Sequence, residues 1–307
     1  MKLFKFNIIV AFILLSSTAS FAQQLPQFTQ YMYNTISINP AYAGSRETLS
    51  IVGLHRSQWV GLAGAPTTQT LSIHTPVGAS EKVGLGFSFI NDELGAQNFQ
   101  YLYGDFSYTI NTGDNTKLAF GLKAGFTSYS LDGEFIAQHP DDPLIYGYED
   151  RWKPNIGTGI FWHSNRWYLG LSAPRLLNTD YSGEDGFEAL ERVSYYFTGG
   201  LVFDLGESVK FKPAAMLKMT NGAPLSFDLT ANFLFNEVFW LGAGYRFNEQ
   251  AGALGGIADF QISKQLRIGY AYEYPISDLR PYTNGTHEIL LMFELFKSNR
   301  IKSPRYF

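Results

Sequence analysis

The chain has 307 residues and a formal net charge of −4; 16% of its residues are charged, 16% aromatic and 45% hydrophobic. So many aromatic side chains can bury a large surface, which excludes a disordered tail protein, and an acidic balance with no basic run in the body of the chain excludes an ordinary nucleic-acid binder. The lack of cysteine excludes disulfides, thiol nucleophiles and thiolate metal sites.

Residues 1–22 open with Lys2 and Lys5, continue through the apolar run Ile8–Leu15 and end in Ser20-Phe21-Ala22. A basic start, a short apolar run and a small-x-small end predict a cleaved signal peptide, with the mature chain starting at Gln23. The run is too short to cross a bilayer as a helix. An N-terminal anchor helix is the alternative. Without Lys2 and Lys5 the mature chain carries a charge of −6.

Residues 23–47 form a lead-in whose first part, Gln23 to Ser45, has no charge. It carries Phe28, Tyr31, Tyr33 and Tyr42, with Asn39-Pro40 and Gly44 as turn signals. Such a segment is too apolar for a loose tail. It is expected to be bound, either in a barrel's lumen, as a plug tucked into the periplasmic mouth, or by a partner. The plainer reading is a linker packed under the first strand.

Residues 48–296 alternate in period 2 again and again, the signature of strands. Fourteen strands are predicted, near 48–59, 66–75, 81–91, 97–110, 116–129, 153–164, 166–173, 192–205, 208–219, 225–236, 238–247, 252–262, 264–274 and 286–296. Most are long enough for a tilted strand to cross a hydrocarbon core, whereas globular strands are nearer five or six residues. In the eighth, Tyr195, Phe197, Leu201, Phe203 and Leu205 share a face opposite Arg192, Ser194, Thr198 and Asp204. The fifth, ninth, tenth, thirteenth and fourteenth behave alike. Their apolar faces hold no charge, and the opposite faces hold Lys117, Lys123, Lys210, Lys212, Lys218, Asp228, Arg267, Glu273, Glu288 and Glu294.

Two architectures fit such faces. A soluble sandwich turns the apolar face inward, and a membrane barrel turns it to lipid. Strand length, the even count and the aromatic load favour an all-β transmembrane antiparallel barrel. Trp162, Trp167 and Trp240 stand beside tight turns, where a girdle at the membrane interface would place them. Connections after even strands are short, and those after odd strands include the two longest, Ser130–Trp152 and Pro174–Glu191. Short turns belong to the periplasm, so both termini are expected there.

Catalytic chemistry finds no foothold. None of His55, His74, His139, His163 and His287 has metal-pair spacing, and no G-x-S-x-G occurs. Gly84-x-Gly86, Gly157-x-Gly159 and Gly242-x-Gly244 open no helix, so close packing inside a barrel explains them better than a phosphate loop. No enzyme activity, cofactor or metal is expected. The two long loops are acidic, with Asp132, Glu134, Asp141, Asp142, Glu149 and Asp150 in one and Asp180, Glu184, Asp185, Glu188 and Glu191 in the other. They read as solvated loops, a docking surface or a weak calcium site, though the order D-x-D-x-D-G is missing. Residues 297–307 form a basic tail with Lys297, Arg300, Lys302 and Arg305, ending in Phe307. It suits an acidic periplasmic partner, a terminal assembly signal or no fixed structure.

The stretch from Pro26 to Asn34, followed by Asn39-Pro40-Ala41-Tyr42-Ala43-Gly44-Ser45, resembles the opening of the PorP/SprF family. Arg56-Ser57-Gln58-Trp59-Val60-Gly61, Ala65-Pro66-Thr67-Thr68, Gly285-Thr286-His287-Glu288 and Ser303-Pro304-Arg305-Tyr306-Phe307 continue the likeness. The resemblance implies a non-enzymatic outer-membrane barrel of the type IX secretion and gliding machinery of Bacteroidota. Its implied partners are outer-membrane lipid and either periplasmic lipoprotein and ring components or a large secreted surface adhesin. Candidate partner contacts are Phe28, Tyr31, Tyr33, Asn39, Pro40, Tyr42, Arg305 and Phe307. The competing readings are a passive outer-membrane channel of porin or hydrophobic-solute type and a soluble exported β adhesin.

Overall fold

The computed structural model describes residues 26–132, 148–181, 189–249, 251–296 and 306. The expected signal peptide, much of each acidic loop, Arg305 and Phe307 lie outside them.

The strands are β1 (Leu49–Ser57), β2 (Thr67–Val77), β3 (Val83–Leu94), β4 (Gln97–Gly113), β5 (Thr116–Leu131), β6 (Tyr148–Ser164), β7 (Trp167–Ala173), β8 (Thr179–Asp180), β9 (Leu190–Glu191), β10 (Ser194–Leu201), β11 (Phe203–Asp204), β12 (Val209–Thr220), β13 (Ser226–Phe235), β14 (Phe239–Phe247), β15 (Ala253–Gln261), β16 (Leu266–Pro275) and β17 (Thr286–Leu295). β8 and β9 pair only with each other, as a small ribbon between β7 and β10. All the others join one antiparallel sheet. β1 pairs with β17 from Leu49↔Leu295 to Ser57↔His287, and β10 pairs with β12. Each strand thus has two neighbours, and β11 prolongs β10 beyond Val202, so the sheet is a closed barrel of 14 staves. Closure removes every sheet edge, the condition for placing strands in lipid.

Chain order fixes two unlike ends. Leu49 and Leu295 share one end with the tight turns, hereafter the turn end; the opposite end carries the longer connections. At the turn end the link from β13 to β14 has Asn236 and Glu237 at φ 50° and 59°. Paired left-handed residues match the twist of the flanking strands, as in a type I′ hairpin. β4, β5 and β6 run to 17, 16 and 17 residues. At about 3.4 Å per residue they outreach the roughly 30 Å hydrocarbon core even when tilted.

The faces are those of a membrane barrel. Leu122, Phe126, Ile156 and Leu171 are at least half exposed, whereas Lys123, Asp228, Arg267 and Glu288 are buried. In water this inversion would be ruinous. In lipid it is the stable arrangement, because the acyl chains accept the apolar face and the lumen satisfies the charges. The reading as a soluble adhesin fails on this observation.

One expectation about tryptophan is corrected. Trp162 and Trp167 meet edge-on at 4.8 Å, and Trp162 faces outward. Trp240 does not belong to a girdle. It stands in register with buried Leu234 and Asp259 and is itself buried, with the Lys212 ammonium 5.6 Å from its ring. Its place beside a turn is right, but strand parity turns it into the lumen.

Candidate functional site: a segment that fills the lumen

The chain preceding β1 lies inside the barrel. Two 3-10 turns, Thr35–Ser37 and Pro40–Tyr42, keep it compact. Asn39 begins the second: its Oδ1 accepts from the Ala41 N–H at 3.0 Å, and Pro40 needs no donor at that position.

The segment crosses the lumen lengthwise. At the turn end, Arg46 Nε donates to Glu294 at 2.6 Å and Thr48 Oγ1 donates to the Leu295 carbonyl at 2.6 Å. Burial lowers the proton affinity of the Arg46 guanidinium, but the Glu294 carboxylate outweighs it, so Arg46 is held above its ordinary range. Midway, the Asn34 side-chain amide donates to Thr70 Oγ1 at 3.1 Å and accepts from Ser72 Oγ at 3.0 Å. Near the loop end, Glu288 accepts from the backbone N–H of Thr29 at 2.9 Å and of Gln30 at 2.8 Å. Glu288 and Glu294 lie six residues apart on β17, about 20 Å at the rise of a strand. The segment occupies the lumen well beyond its periplasmic mouth, because its anchors are distributed along β17, at Glu288 and Glu294, and on β2, at Thr70 and Ser72.

Glu288 belongs to a ladder of charge. Arg56 Nη1 reaches Glu288 at 3.1 Å and Arg56 Nη2 reaches Glu273 at 2.7 Å. Arg246 joins Glu273 at 3.1 Å to Asp228 at 2.6 Å. The ladder runs over β17, β1, β16, β14 and β13. Arg56 also donates to Thr29 Oγ1 at 2.7 Å, and the Tyr33 hydroxyl donates to Asp259 at 2.7 Å.

The facing wall grips differently. Ser107 Oγ donates to the Ala43 carbonyl at 2.6 Å, Ser172 Oγ to that of Ile38 at 2.7 Å, and the Asn39 amide to that of Ile160 at 3.0 Å. Contact there requires glycine. A Cβ on Gly121 would stand 2.1 Å from the Ala41 nitrogen, one on Gly84 2.1 Å from the Ala43 oxygen, and one on Gly159 2.1 Å from Asn39 Oδ1. His74 completes this side: its Nδ1 accepts from the Gly44 N–H at 3.2 Å and its ring meets Tyr42 edge-on at 5.3 Å.

The loop end is covered from outside. Arg175 bridges to Glu191 at 2.6 Å and lies 4.3 Å over the Tyr101 ring. Tyr181 packs on Phe99 and Tyr129 with centroids 5.8 and 5.6 Å apart. Burial pushes the Glu191 carboxyl above its usual range, against the pull of Arg175. At the turn end Lys212 donates to the Tyr306 carbonyl, and the Lys210 ammonium lies 5.6 Å from the Tyr306 ring.

Phe28, Tyr31, Tyr33, Asn39, Pro40 and Tyr42 are therefore all buried against the chain's own wall. Sequence reasoning did not find their counterparts on the wall, Glu288, Asp259, Thr70, Ser72 and Arg56, as a set. The signal was present in part, as charges on the polar faces of strands and as paired glycines. Among the described residues no group of three His, Asp or Glu side chains could hold a metal.

A closed barrel with lipid-facing apolar staves and a charged, filled lumen defines an outer-membrane β-barrel protein. Within that class, the family model for the type IX secretion system membrane protein PorP/SprF matches residues 20–293, and the chain belongs to this family. It is a membrane component of type IX secretion, located in the outer membrane. No curated relative matches the chain. Among solved structures, the outer membrane protein Omp33 of Acinetobacter baumannii is 10% identical, covering 81% of this chain and 98% of its own, with a TM-score of 0.47. A FadL homologue of Pseudomonas aeruginosa is 11% identical, covering 89% and 95%, with a TM-score of 0.46. OmpF of Salmonella typhi, in complex with daunomycin, is 9% identical, covering 82% and 99%, with a TM-score of 0.39. Likeness at this level carries no argument about function.

Proposed function

We propose that this protein is a non-enzymatic scaffold of the type IX machinery that helps secrete an adhesin-like partner or anchor it at the cell surface. The observation that carries this reading is the lumen, occupied along its length by residues 28–48 and covered at the loop end by the stretch around Arg175 and Tyr181. A passive channel needs a continuous water path, so the porin reading loses support. In the proposed orientation the turn end and the basic tail face periplasmic lipoprotein or ring components, and the loop end faces outward.

Three measurements test the reading. A strain lacking the protein should lose its surface adhesin from the cell face, and the wild-type protein should restore it. The purified barrel in a planar bilayer should conduct far less than a variant lacking residues 26–46. Porin-like conductance by the wild type would instead favour the channel. A tag at Gly64, an exposed loop-end residue, should be labelled on intact cells, and one at Asn115 should not.

A further inference from the structure

One stave of the barrel stops short. β7 pairs with β6 from His163↔Tyr168 to Thr158↔Ala173, and with β10 from Leu201↔Trp167 to Tyr196↔Ser172. Its 7 residues rise about 3.4 Å each at a tilt of about 40°, roughly 17 Å in all. The hydrocarbon core is about 30 Å thick, so β7, starting from Trp167 at the turn end, stops just past the midplane. β6 runs on beyond Thr158 to Tyr148, and among the described residues no strand pairs with that stretch on the β7 side. Ile156, Leu176 and Leu177 are exposed at this break, so it faces lipid of the loop-end leaflet.

The ladder breaks at Pro174, which has no N–H to offer. The chain dips inward there: Pro174 and Arg175 are buried, and a Cβ on Gly157 would stand 2.2 Å from the Pro174 oxygen. It returns to the wall at Leu176, whose N–H donates to the Ile156 carbonyl at 2.7 Å. From there the hold passes to one buried side chain. Asn155 Oδ1 accepts from the N–H groups of Leu176 at 3.1 Å and Leu177 at 3.0 Å. Asn155 Nδ2 donates to the Leu177 carbonyl at 2.9 Å and to Thr179 Oγ1 at 3.4 Å. On the other flank, Asn178 Oδ1 accepts from the Val193 N–H at 3.0 Å. Bonds converging on one amide stand where a strand ladder would be, and such bonds release together.

The edge of β6 is finished without residues 176–179. Ile156 presents its carbonyl to this side, and its N–H donates to Asn155 Oδ1 at 2.9 Å. Alternation turns Pro154 the same way, and proline leaves no donor unpaired. An open sheet edge is excluded from lipid because its amides find no water. Here the donors nearest the break are capped or missing, so the covering residues can move away without stranding them. The same edge selects what can enter. An extended peptide would meet no free donor at Pro154 or Ile156 and would leave its own carbonyls unpaired, whereas an acyl chain needs none. The gap replaces one strand, a width of about 5 Å, which admits a single apolar chain. Buried Tyr101 and Tyr196 stand behind it, with the Arg175 guanidinium 4.3 Å over the Tyr101 ring.

We propose that the seam between β6 and β10 is a lateral gate, with residues 176–179 as its leaf and Asn155 as its latch. Opening joins the loop-end part of the lumen to the loop-end leaflet through a slot that admits one acyl chain. Pro174 and Arg175 stay in place as the hinge, and the inner segment nearer the turn end is undisturbed. The gate is independent of what the barrel secretes or anchors.

The full-length barrel in nanodiscs, made with a phosphatidylcholine that carries a diazirine in its acyl chain, tests this. Photolysis of the wild type should label the outward Ile156, Leu176 and Leu177. Asn155→Ala should raise labelling of Tyr101 and Tyr196 at least tenfold and leave Tyr33 and Trp240, near the turn end, unlabelled. In the same variant, amide hydrogen exchange at Leu176 and Leu177 should quicken at least tenfold while β7 keeps its protection. If Asn155→Ala loses heat-modifiable gel migration, Leu177→Pro carries the same expectation, read at Leu176, since it removes one donor to Asn155 and leaves the wall intact. Unchanged exchange in a folded variant overturns the proposal, as does faster exchange without labelling of Tyr101 and Tyr196. So does labelling of those two residues by a water-soluble diazirine and not by the lipid, because the leaf would then open upward to solvent.

Discussion

The two walls that hold the inner segment use different physics. The wall of β13 to β1 works at a distance through charge: Glu288, Arg56, Glu273, Arg246 and Asp228 pass their partners along a ladder and offer two acceptor oxygens to backbone amides. The wall of β3 to β7 works by contact, with Gly84, Gly121 and Gly159 admitting the segment's backbone where any side chain would collide. A buried ion network costs desolvation and stabilises little beyond an apolar equivalent, yet it is severely weakened when one member is removed. A glycine wall costs chain entropy on folding but tolerates no enlargement. The charged wall therefore fixes register, and the contact wall fixes depth.

The largest expected effect comes from cutting the ladder. Glu288→Ala leaves the Arg56 guanidinium short of one partner and the N–H groups of Thr29 and Gln30 without an acceptor. Breaking a buried pair in this way costs about 3–5 kcal/mol. The first turn of the segment should then become cleavable by protease in an otherwise intact, heat-modifiable barrel. Glu288→Gln keeps an acceptor oxygen and should fall between the two. Unchanged protection in Glu288→Ala would mean that the contact wall alone holds the segment.

Gly121→Val tests the other wall. Its Cβ would stand 2.1 Å from the Ala41 nitrogen and 2.4 Å from the Pro40 carbonyl carbon. Both are backbone atoms of a 3-10 turn and cannot swing aside. Overpacking of this kind costs about 1–3 kcal/mol. Protection should be lost around residues 38–44 while Thr29 and Gln30 stay anchored, the reverse of the Glu288→Ala pattern. If both variants release the whole segment together, the walls act as one unit.

The barrel was legible because alternation is local: a residue's face follows from its parity, and lipid on one side and charge on the other leave a strong period of 2. The charges at Lys123, Asp228 and Glu288 and the glycines in the strands could be read the same way. What could not be read is pairing across the lumen. Nothing near Thr29 in the chain points to Glu288, 259 residues away. For the same reason the segment's aromatics left open a lumen or a separate partner; in the structure they are buried against the chain's own wall. Trp240 shows the limit of a local cue, since nearness to a turn does not fix which face a side chain takes.

The smallest expected effect separates burial from pairing. Lys117 and Glu47 meet at 2.6 Å at the turn end, with both side chains 39% exposed. Arg46 and Glu294 meet at the same distance and the same end, with side chains 1% and 5% exposed. Geometry alone would make these bridges equal. Water and salt screen the first, and holding two long side chains together offsets much of the attraction, so Lys117→Ala should cost less than about 1 kcal/mol. Arg46→Ala removes the buried cation paired with Glu294 and should cost about 3–5 kcal/mol. Urea titration of segment release, followed by protease protection, should show a small shift for Lys117→Ala that vanishes in high salt. For Arg46→Ala the shift should be large and nearly independent of salt. Equal shifts would mean that water reaches Arg46 and Glu294 through the turn-end mouth, and that the segment seals the lumen only above them.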